Sequence, residues 1–287
     1  MPPKKISILG VGLLGGSIGL AAKSVIKDCE IIGYGHRSVT LEAAIERGAI
    51  DLALMEPERA VEGCDLVIVC TPVGIIGSVL SRIAPALAPG AVVTDVGSTK
   101  RTVVEAGEKA IGGRFVGSHP IAGSEKRGVE FADAGLFRGA LCLTTPTERT
   151  EGEGLESVEE FWRLIGMKVR RISAEDHDRL LGEVSHLPHA VAAALVAVQD
   201  DAGLELAGKG FLDLTRIAGG DGELWRDIFL DNRDNLKAGI GDVRAELEWL
   251  EDLLDKGDAE GVRKWLAGAA ERRKVLEARR KGDGVTG

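Results

Sequence analysis

His119 is the residue whose type and position most directly suggest chemistry, and it is one of five histidines in 287 residues. It lies in the stretch FVGSHPIAGSE, residues 115–125, where an apolar run predicts a buried strand that ends at Pro120. A neutral imidazole there can take a proton from a substrate hydroxyl. Ser98, in DVGSTK, could hydrogen-bond the imidazole or the substrate. The alternative is a capped, structural histidine at the end of a strand.

A glycine-rich loop precedes this region near the N-terminus. In GVGLLGG, Gly10, Gly12 and Gly15 directly follow a predicted strand and open a predicted helix, with Leu13 and Leu14 between them. In such a loop the first glycine allows a tight turn, the second lets the backbone approach a pyrophosphate, and the third lets helix and strand pack closely. The helix N-terminus then faces the phosphates. The spacing and its context predict dinucleotide binding.

The residues after the second predicted strand bear on the choice of dinucleotide. NAD-binding chains usually carry an acidic residue about 20 positions past the loop, but this chain has Gly35 there, followed by His36, Arg37 and Ser38. An arginine fork and a hydroxyl suit a 2′-phosphate. The sequence therefore favours NADP, leaves NAD possible, and allows the alternative of a solvated loop that happens to contain arginine.

Strand and helix patterns alternate over the first part of the chain, and helix patterns alone follow. Apolar strands that alternate with helices predict an α/β fold, a Rossmann-type doubly wound and mainly parallel sheet. We place this dinucleotide-binding domain at residues 1–172 and an all-α substrate and dimerisation domain at residues 173–287. The first long helix of the second domain contains Pro188, which is expected to kink or break it. Apolar helix stripes predict a homodimer through the helical domain.

Four predicted strands end in residues suited to ligand binding. The four strand ends carry the glycine loop, Thr71 with Pro72, Ser98, and His119. Ligands of a doubly wound sheet bind beyond the carboxyl ends of its strands. Thr71 and Pro72 are therefore expected to contact the cofactor, and His119 to face its nicotinamide end.

Composition limits the partners and the compartment. A net charge of −9 and no basic stripe argue against nucleic acid. Glycines interrupt the apolar N-terminal run, and no run is long enough to span a membrane, so neither a signal peptide nor a membrane segment is expected. Four cysteines without a C-x-x-C pair are typical of reduced thiols in a cytoplasmic protein.

His186 and His189 share a helix face at i,i+3 spacing. With His177 or Asp176 they could bind a metal ion, but such a pair without a third spaced ligand is weak evidence. No metal site is predicted.

These motifs together resemble the prephenate/arogenate (cyclohexadienyl) dehydrogenase family of tyrosine biosynthesis. The resemblance covers nearly all of residues 5–250, in order, through GVGLLGGSIG, CDLVIVCTPV, DVGSTK, GSHPIAGSE, SAEDHDRLLGEVSHLPHAVA and LTRIAGGDGELWRDI. It implies oxidative decarboxylation of prephenate or arogenate: hydride leaves the hydroxyl-bearing ring carbon, carbon dioxide leaves the opposite carbon, and the ring becomes aromatic. It implies that His119 is the general base and that Ser98 assists.

The resemblance also implies a set of substrate-binding residues. Arg216 matches the arginine that holds a substrate carboxylate, although Arg216 could instead pair with Asp213 or Asp221 on the surface. The histidine face is expected at the substrate, with Asp213 as an ionic partner of His189. The residues expected to bind substrate are thus Arg216, His186, His189, Glu125, Asp213 and Trp225, where Trp225 could equally pack in the core.

Some alternatives stay open in the sequence. Prephenate and arogenate differ by a keto group or an ammonium, and Asp213, Asp221 and Glu125 are candidates for a partner of the ammonium. Feedback inhibition by tyrosine is also left open. A β-hydroxyacid dehydrogenase of the 6-phosphogluconate type would rely on a lysine in the helical part, where Lys209 is alone between residues 169 and 236. A non-catalytic NADP-binding regulator on the same fold is the third possibility.

Overall fold

The computed structural model describes residues 2–123 and 126–282. Eight strands form one sheet in the order β3-β2-β1-β4-β5-β6-β7-β8. The strands are β1 (Lys5–Leu9), β2 (Glu30–Tyr34), β3 (Leu52–Leu54), β4 (Leu66–Val69), β5 (Val92–Asp95), β6 (Phe115–Ile121), β7 (Leu141–Thr145) and β8 (Lys168–Arg171). Strands β1 to β6 pair in parallel, β7 runs antiparallel to β6, and β8 is parallel to β7. The expected Rossmann-type, mainly parallel sheet is confirmed.

Thirteen α-helices accompany the described strands. In the sheet region they are α1 (Leu13–Val25), α2 (Ser38–Glu46), α3 (Pro57–Ala60), α4 (Val73–Ile83), α5 (Arg101–Ile111) and α6 (Gly152–Leu164). After the sheet come α7 (Ala174–Leu181), α8 (Leu187–Ala197), α9 (Asp201–Glu205), α10 (Lys209–Thr215), α11 (Gly222–Asp231), α12 (Arg233–Asp255) and α13 (Ala259–Gly282).

Both faces of the central strands are buried, which explains their continuous apolar sequences. The whole of β4, LVIV, is buried, as are the last four residues of β1. Two apolar clusters form, one on each side of the sheet, and Ile8 and Leu9 belong to different clusters because side chains alternate along a strand. This sheet is the rigid base from which the functional loops extend.

The helix that contains Pro188 does not break. The chain stays helical from Ala174 to Ala197, and a π-helical segment over Gly182–His186 lies between α7 and α8. Pro188 has no N–H to offer to the carbonyl of Val184, and the wider π turn accommodates that loss within the helix. Of the two expectations for Pro188, a kink or a break, the break does not occur, and the helix carries His177, His186 and His189 on one continuous element.

The described chain forms two compact units, one up to Arg233 and one from Asp234. In the first, α7 to α11 accompany the sheet, and α5 and α7 pack together. The boundary at residue 172 stays a prediction about where the substrate-binding region begins. In the second unit, Gly257 turns the chain between α12 and α13 at φ +61°, and Trp265 Nε1 donates a hydrogen bond to Glu246 (3.0 Å).

One described helix, Ala174–Ala197, is long and apolar enough to cross a membrane by length and composition alone. Core helices of soluble proteins pass the same test, and this one carries the ion-paired Asp178. The helix is therefore weak evidence for a membrane span.

Candidate active site and dinucleotide-binding crevice

The glycine loop joins β1 to α1 at the point where the order of the sheet reverses. Gly10 has φ +108°, and a Cβ there would lie 2.7 Å from the carbonyl oxygen of Cys70. A Cβ on Gly15 would lie 2.1 Å from the carbonyl oxygen of Gly10, whereas one on Gly12 would meet nothing within 4 Å. Gly12 therefore borders open space in front of the α1 N-terminus, where Leu13 and Leu14 begin the helix.

The crevice fits a dinucleotide. No acidic residue lies in the first turn of α1, and no side chain caps it, so its amide groups can receive a pyrophosphate. Thr71, which Pro72 separates from α4, has a buried Oγ1 atom without a hydrogen-bond partner among the described residues, and so has Thr99 after β5. Buried hydroxyls without partners are costly in a folded protein, and a bound cofactor would supply a partner for Thr71, which is partly exposed, whereas Thr99 is fully buried.

The three residues expected at the adenosine ribose lie together where β2 leads into α2. His36 and Arg37 are exposed, and Ser38 is the first residue of α2. Gly35 donates its N–H to the carbonyl of Leu54 (3.4 Å), so β3 holds this end of β2. The exposed side chains can reach a ligand in the crevice, but this geometry does not by itself choose between the two dinucleotides.

A cavity of about 530 Å³ lies beside the carboxyl end of β6. His119 of β6, Leu181 and Ser185 of the long helix, and Trp225 of α11 contribute to its walls. The other described lining residues are Pro120, Ile121, Ala122, Gly123, Lys126, Arg127, His189, Arg216, Ile217, Gly220, Asp221 and Leu224.

The position of His119 is set by its neighbour Ser118. The hydroxyl of Ser118 donates to the carbonyl of Asp95 (2.6 Å) and accepts from Trp162 Nε1 (3.2 Å), so Ser118 is fixed inside the core. Side chains alternate along a strand, so the imidazole of His119 leaves the opposite face of β6. Burial lowers the pKa of His119 well below its usual range, and positive charge at Lys100 acts in the same direction. The ring is therefore neutral at neutral pH.

A hydrogen-bond chain fixes the orientation of the His119 ring. His119 Nδ1 lies 2.9 Å from His177 Nε2, and His177 Nδ1 lies 2.8 Å from Asp178 Oδ1. Burial alone would raise the pKa of Asp178, but hydrogen bonds from His177 and from the amides of Arg101 and Lys100 lower it. Asp178 is therefore an ionised acceptor.

The positions of the protons in this hydrogen-bond chain follow from the negative charge of Asp178. Asp178 can only accept, so His177 Nδ1 donates to it; burial lowers the pKa of His177, which stays neutral with a lone pair on Nε2. His119 Nδ1 must then donate to His177. His119 Nε2 is left with its lone pair, which is the state that a general base requires.

A buried ion pair lies beside the hydrogen bonds that join His119, His177 and Asp178. Lys100 and Asp95 are fully buried and bonded to each other, and Asp95 also accepts hydrogen bonds from the amides of Gly97 (2.7 Å) and Ser118 (3.1 Å). The backbone amide of Lys100 donates to Asp178 (2.7 Å). The DVGSTK segment thus connects β5, β6 and α7 at the point where His119 and His177 meet.

His189 stacks on Trp225 with ring centroids 3.6 Å apart, and both line the cavity. Its Nδ1 atom is buried without a hydrogen-bond partner among the described residues, and burial lowers its pKa. His189 can therefore offer a neutral ring nitrogen to a ligand. His186 is not among the cavity-lining residues: it is buried, and its Nδ1 lies 3.0 Å from the side-chain nitrogen of Asn232. Burial lowers the pKa of His186 to about 4.

The remaining residues expected at the site are distributed differently. Arg216 lines the cavity. Asp213 is exposed on α10 and absent from that lining, and the expected pairing of Asp213 with His189 is not formed within the chain. Ser98 is half-buried after β5 and lies outside the lining. Glu125 lies outside the described residues.

The sequence does not identify two residues of the candidate site. It indicates His177 only as a possible metal ligand and gives no role to Asp178, although these adjacent residues form the hydrogen bonds that reach His119. A histidine next to an aspartate at the start of a helix was the available signal, but nothing local connects it to a strand 58 residues earlier. Among the described residues no metal-binding group of three or more suitable side chains occurs.

A glycine loop at the switch point of a Rossmann-type sheet, beside a cavity that holds a neutral histidine, defines a dinucleotide-dependent dehydrogenase. Residues 18–171 match the nucleotide-binding domain of prephenate dehydrogenase, and residues 173–268 match its dimerization domain. The chain belongs to the prephenate dehydrogenase family. It is 33% identical to a prephenate dehydrogenase of Lactococcus lactis, over 96% of this chain and 78% of the relative. It is 30% identical to a cyclohexadienyl dehydrogenase of Zymomonas mobilis, over 90% of each chain.

Solved structures agree with this assignment. Prephenate dehydrogenase from Aquifex aeolicus, in complex with hydroxyphenyl propionate and NAD⁺, superposes with a TM-score of 0.91 at 34% identity, over 96% of this chain and 99% of that one. Arogenate dehydrogenase from Synechocystis gives 0.82 at 30% identity, over 95% and 99%. A 3-hydroxyisobutyrate dehydrogenase from Mycobacterium tuberculosis, at 14% identity and 0.52, shares the fold alone.

Proposed function

We propose that this chain catalyses NAD(P)-dependent oxidative decarboxylation of prephenate, arogenate or both, giving 4-hydroxyphenylpyruvate or tyrosine. The observation that carries the proposal is the chain from Asp178 through His177 to His119, because it leaves a neutral base in a cavity beside the dinucleotide crevice. Family membership supplies the substrate class.

In the proposed reaction His119 Nε2 accepts the proton of the ring hydroxyl, and the developing positive charge spreads along its hydrogen bond to His177. When bound, the nicotinamide cofactor accepts the hydride from the ring carbon. Arg216 binds a substrate carboxylate, and His189 with Trp225 forms a flat wall for the ring. Ser98 assists near the hydroxyl. His186, Asp213 and Glu125 remain proposed substrate-site residues on the strength of the motif match.

The proposed cofactor is NADP in preference to NAD. Support comes from Arg37 and Ser38 at the end of β2, in the place of the usual acid. The Aquifex relative argues for NAD instead, because its structure contains NAD⁺. Gly10, Gly12, Gly15, Thr71 and Pro72 form the part of the crevice that either dinucleotide would use.

The chain is further proposed to act as a cytoplasmic homodimer, with the substrate and dimerisation region at residues 173–287. The match to a dimerization domain supports the dimer. Four free thiols are consistent with a reducing compartment. The hydroxyacid dehydrogenase alternative has only a fold-level likeness in its favour, and a non-catalytic regulator would not need the histidine chain.

The test is a four-way assay of reduced-cofactor absorbance with prephenate or arogenate and NAD⁺ or NADP⁺. We expect turnover, faster with NADP⁺, and roughly tenfold or greater loss of NADP⁺ use in Arg37→Ala with NAD⁺ use preserved. A strong NAD⁺ preference, or equal losses for both cofactors in the variant, would show that Arg37 does not read the 2′-phosphate. No turnover in any arm, with cofactor still bound, would favour the regulator.

A further inference from the structure

An ion pair crosses the wall of the cavity. Arg127, in the segment after β6, is bonded to Asp221, which lies at the start of α11, and both line the cavity. Asp221 also caps α11 by accepting a hydrogen bond from the amide of Leu224 (2.7 Å). The helix so capped carries Trp225. The side chain of Asp221 is 20% exposed and that of Arg127 is 61% exposed, so a ligand can reach the arginine.

The described cations of the cavity suit carboxylate groups. The described lining residues include the cations Lys126, Arg127 and Arg216 and one carboxylate, Asp221. Both lining histidines have lowered pKa values and add no charge at neutral pH. Prephenate has two carboxylates and no cation, and two arginines, Arg127 and Arg216, line the cavity. Arogenate brings an ammonium as well, and the one described lining carboxylate is already bonded to Arg127.

We infer that the Arg127–Asp221 pair sets the substrate choice: Arg127 binds a substrate carboxylate while it occupies Asp221, so the site takes prephenate in preference to arogenate. This inference rests on the proposed function. An arginine fork can bind two carboxylates at different edges, so Arg127 need not release Asp221 to hold the substrate. An ammonium placed beside this pair would meet the positive charge of Arg127, and Asp221 is already bonded to that arginine.

The experiment compares kcat/KM for prephenate and arogenate in variants of the two residues. Arg127→Gln removes one carboxylate anchor and frees Asp221. Prephenate kcat/KM should fall about 10- to 100-fold, mostly through KM, since a hydrogen bond to a charged group contributes ~1.5–3 kcal/mol. Arogenate should lose less, because Asp221 can now receive its ammonium. The ratio of prephenate to arogenate kcat/KM therefore falls.

Asp221→Asn is the matched opposite change, because an asparagine oxygen can still cap α11 while the charge is lost. Arg127 then keeps its positive charge without a carboxylate beside it. Arogenate kcat/KM should fall, prephenate kcat/KM should hold or rise, and the ratio should increase. Arg149→Gln is the control: Arg149 is 78% exposed, pairs with Glu108 and lies outside the cavity lining, so neither substrate should be affected.

Opposite movements of the ratio in the two variants would support the inference. Equal losses for both substrates in Arg127→Gln, or a wild-type enzyme that prefers arogenate, would overturn it while the proposed function stands. No turnover of either substrate by the wild-type protein would overturn the proposed function as well. Thermal melting of each variant separates a local change from unfolding, and Arg127→Lys, which keeps the charge without the fork, should give an intermediate ratio.

Discussion

His119 can act as a base only while its ring is neutral and its Nε2 atom holds the lone pair. Burial secures the first condition, and the bonds through His177 to Asp178 secure the second. The arrangement resembles in logic the way an aspartate orients the histidine of a serine protease, with one additional imidazole in between. The tautomer and orientation of His119, the proposed base, are thus set by Asp178, which it does not touch.

Asp178→Asn tests this dependence. An asparagine can donate as well as accept, so the tautomers of His177 and His119 are no longer dictated, and kcat should fall about 100-fold. Cofactor affinity should change little. Asp176→Asn is the control, since Asp176 is exposed on the same helix and pairs with Arg179. A variant with wild-type kcat would show that the hydrogen-bond chain does not orient the base.

The dependence of activity on pH is a second test of the proposed base, because a simple loss of packing would not change it. The pKa of His119 is lowered, so the wild-type base stays neutral below the usual histidine value of about 6.5. Activity should persist as pH falls through that value and decline only when the lowered pKa is reached. An acid limb centred near 6.5 or higher would contradict the buried, neutral base.

At the scale of elements, the turn between β1 and α1 contains one glycine that the fold requires and another that we expect to matter only for cofactor binding. A Cβ on Gly12 would enter open space, whereas a Cβ on Gly15 would collide with the backbone of Gly10. Gly12→Ala should therefore melt like the wild-type protein but bind the dinucleotide at least tenfold more weakly, because its methyl group occupies the path of the pyrophosphate. Gly15→Ala should lose ~1–3 kcal/mol or more of folding free energy.

Calorimetric titration with NADP⁺ and NAD⁺, beside urea unfolding, checks both variants. Gly48→Ala is a useful comparison: Gly48 has φ +70° at the end of α2 and no atom within 4 Å of its Cβ position. It should cost stability through backbone strain without changing cofactor affinity. Unchanged binding in Gly12→Ala would mean that the dinucleotide does not approach this glycine.

The elements whose sequence could be interpreted are those with strong local patterns. The apolar run of β4 and the glycine spacing after β1 needed no knowledge of the rest of the chain. The sequence does not predict short elements such as β3 (Leu52–Leu54) and α3 (Pro57–Ala60), because three or four residues show too little periodicity. The missing N–H of Pro188 predicts a kink or a break, and only the folded chain shows that a π turn keeps this segment helical.

The residues of the candidate site likewise fall into those that a local motif identifies and those that only the fold brings together. His119 and Arg216 could be selected by type and motif, and both line the cavity. The bonds from His119 to His177 and from Arg127 to Asp221 join segments 58 and 94 positions apart, so only the fold brings them together. Asp213 was expected beside His189 and lies exposed on α10 instead.

At the scale of the whole molecule, exposed apolar side chains indicate self-association. Leu206 is 86% exposed, and Leu212, Leu214 and Leu230 are 59%, 62% and 60% exposed. All four lie between α9 and the end of α11, in the part of the chain that matches a dimerization domain. Several large leucines left in water within one region are typical of a surface that a partner covers.

We therefore expect a dimer of twice the 30.3 kDa chain mass in sedimentation velocity, and a melting temperature that rises with protein concentration. Leu206→Glu combined with Leu214→Glu should give a monomer, because each buried leucine contributes about 1.5–3 kcal/mol of hydrophobic free energy and a carboxylate cannot replace it. Ile45→Glu, at a position 44% exposed on α2, is the control and should stay dimeric. If all three proteins sediment alike, these leucines are not the interface; if the monomeric variant also loses turnover, the assembly supports the site as well as the stability of the chain.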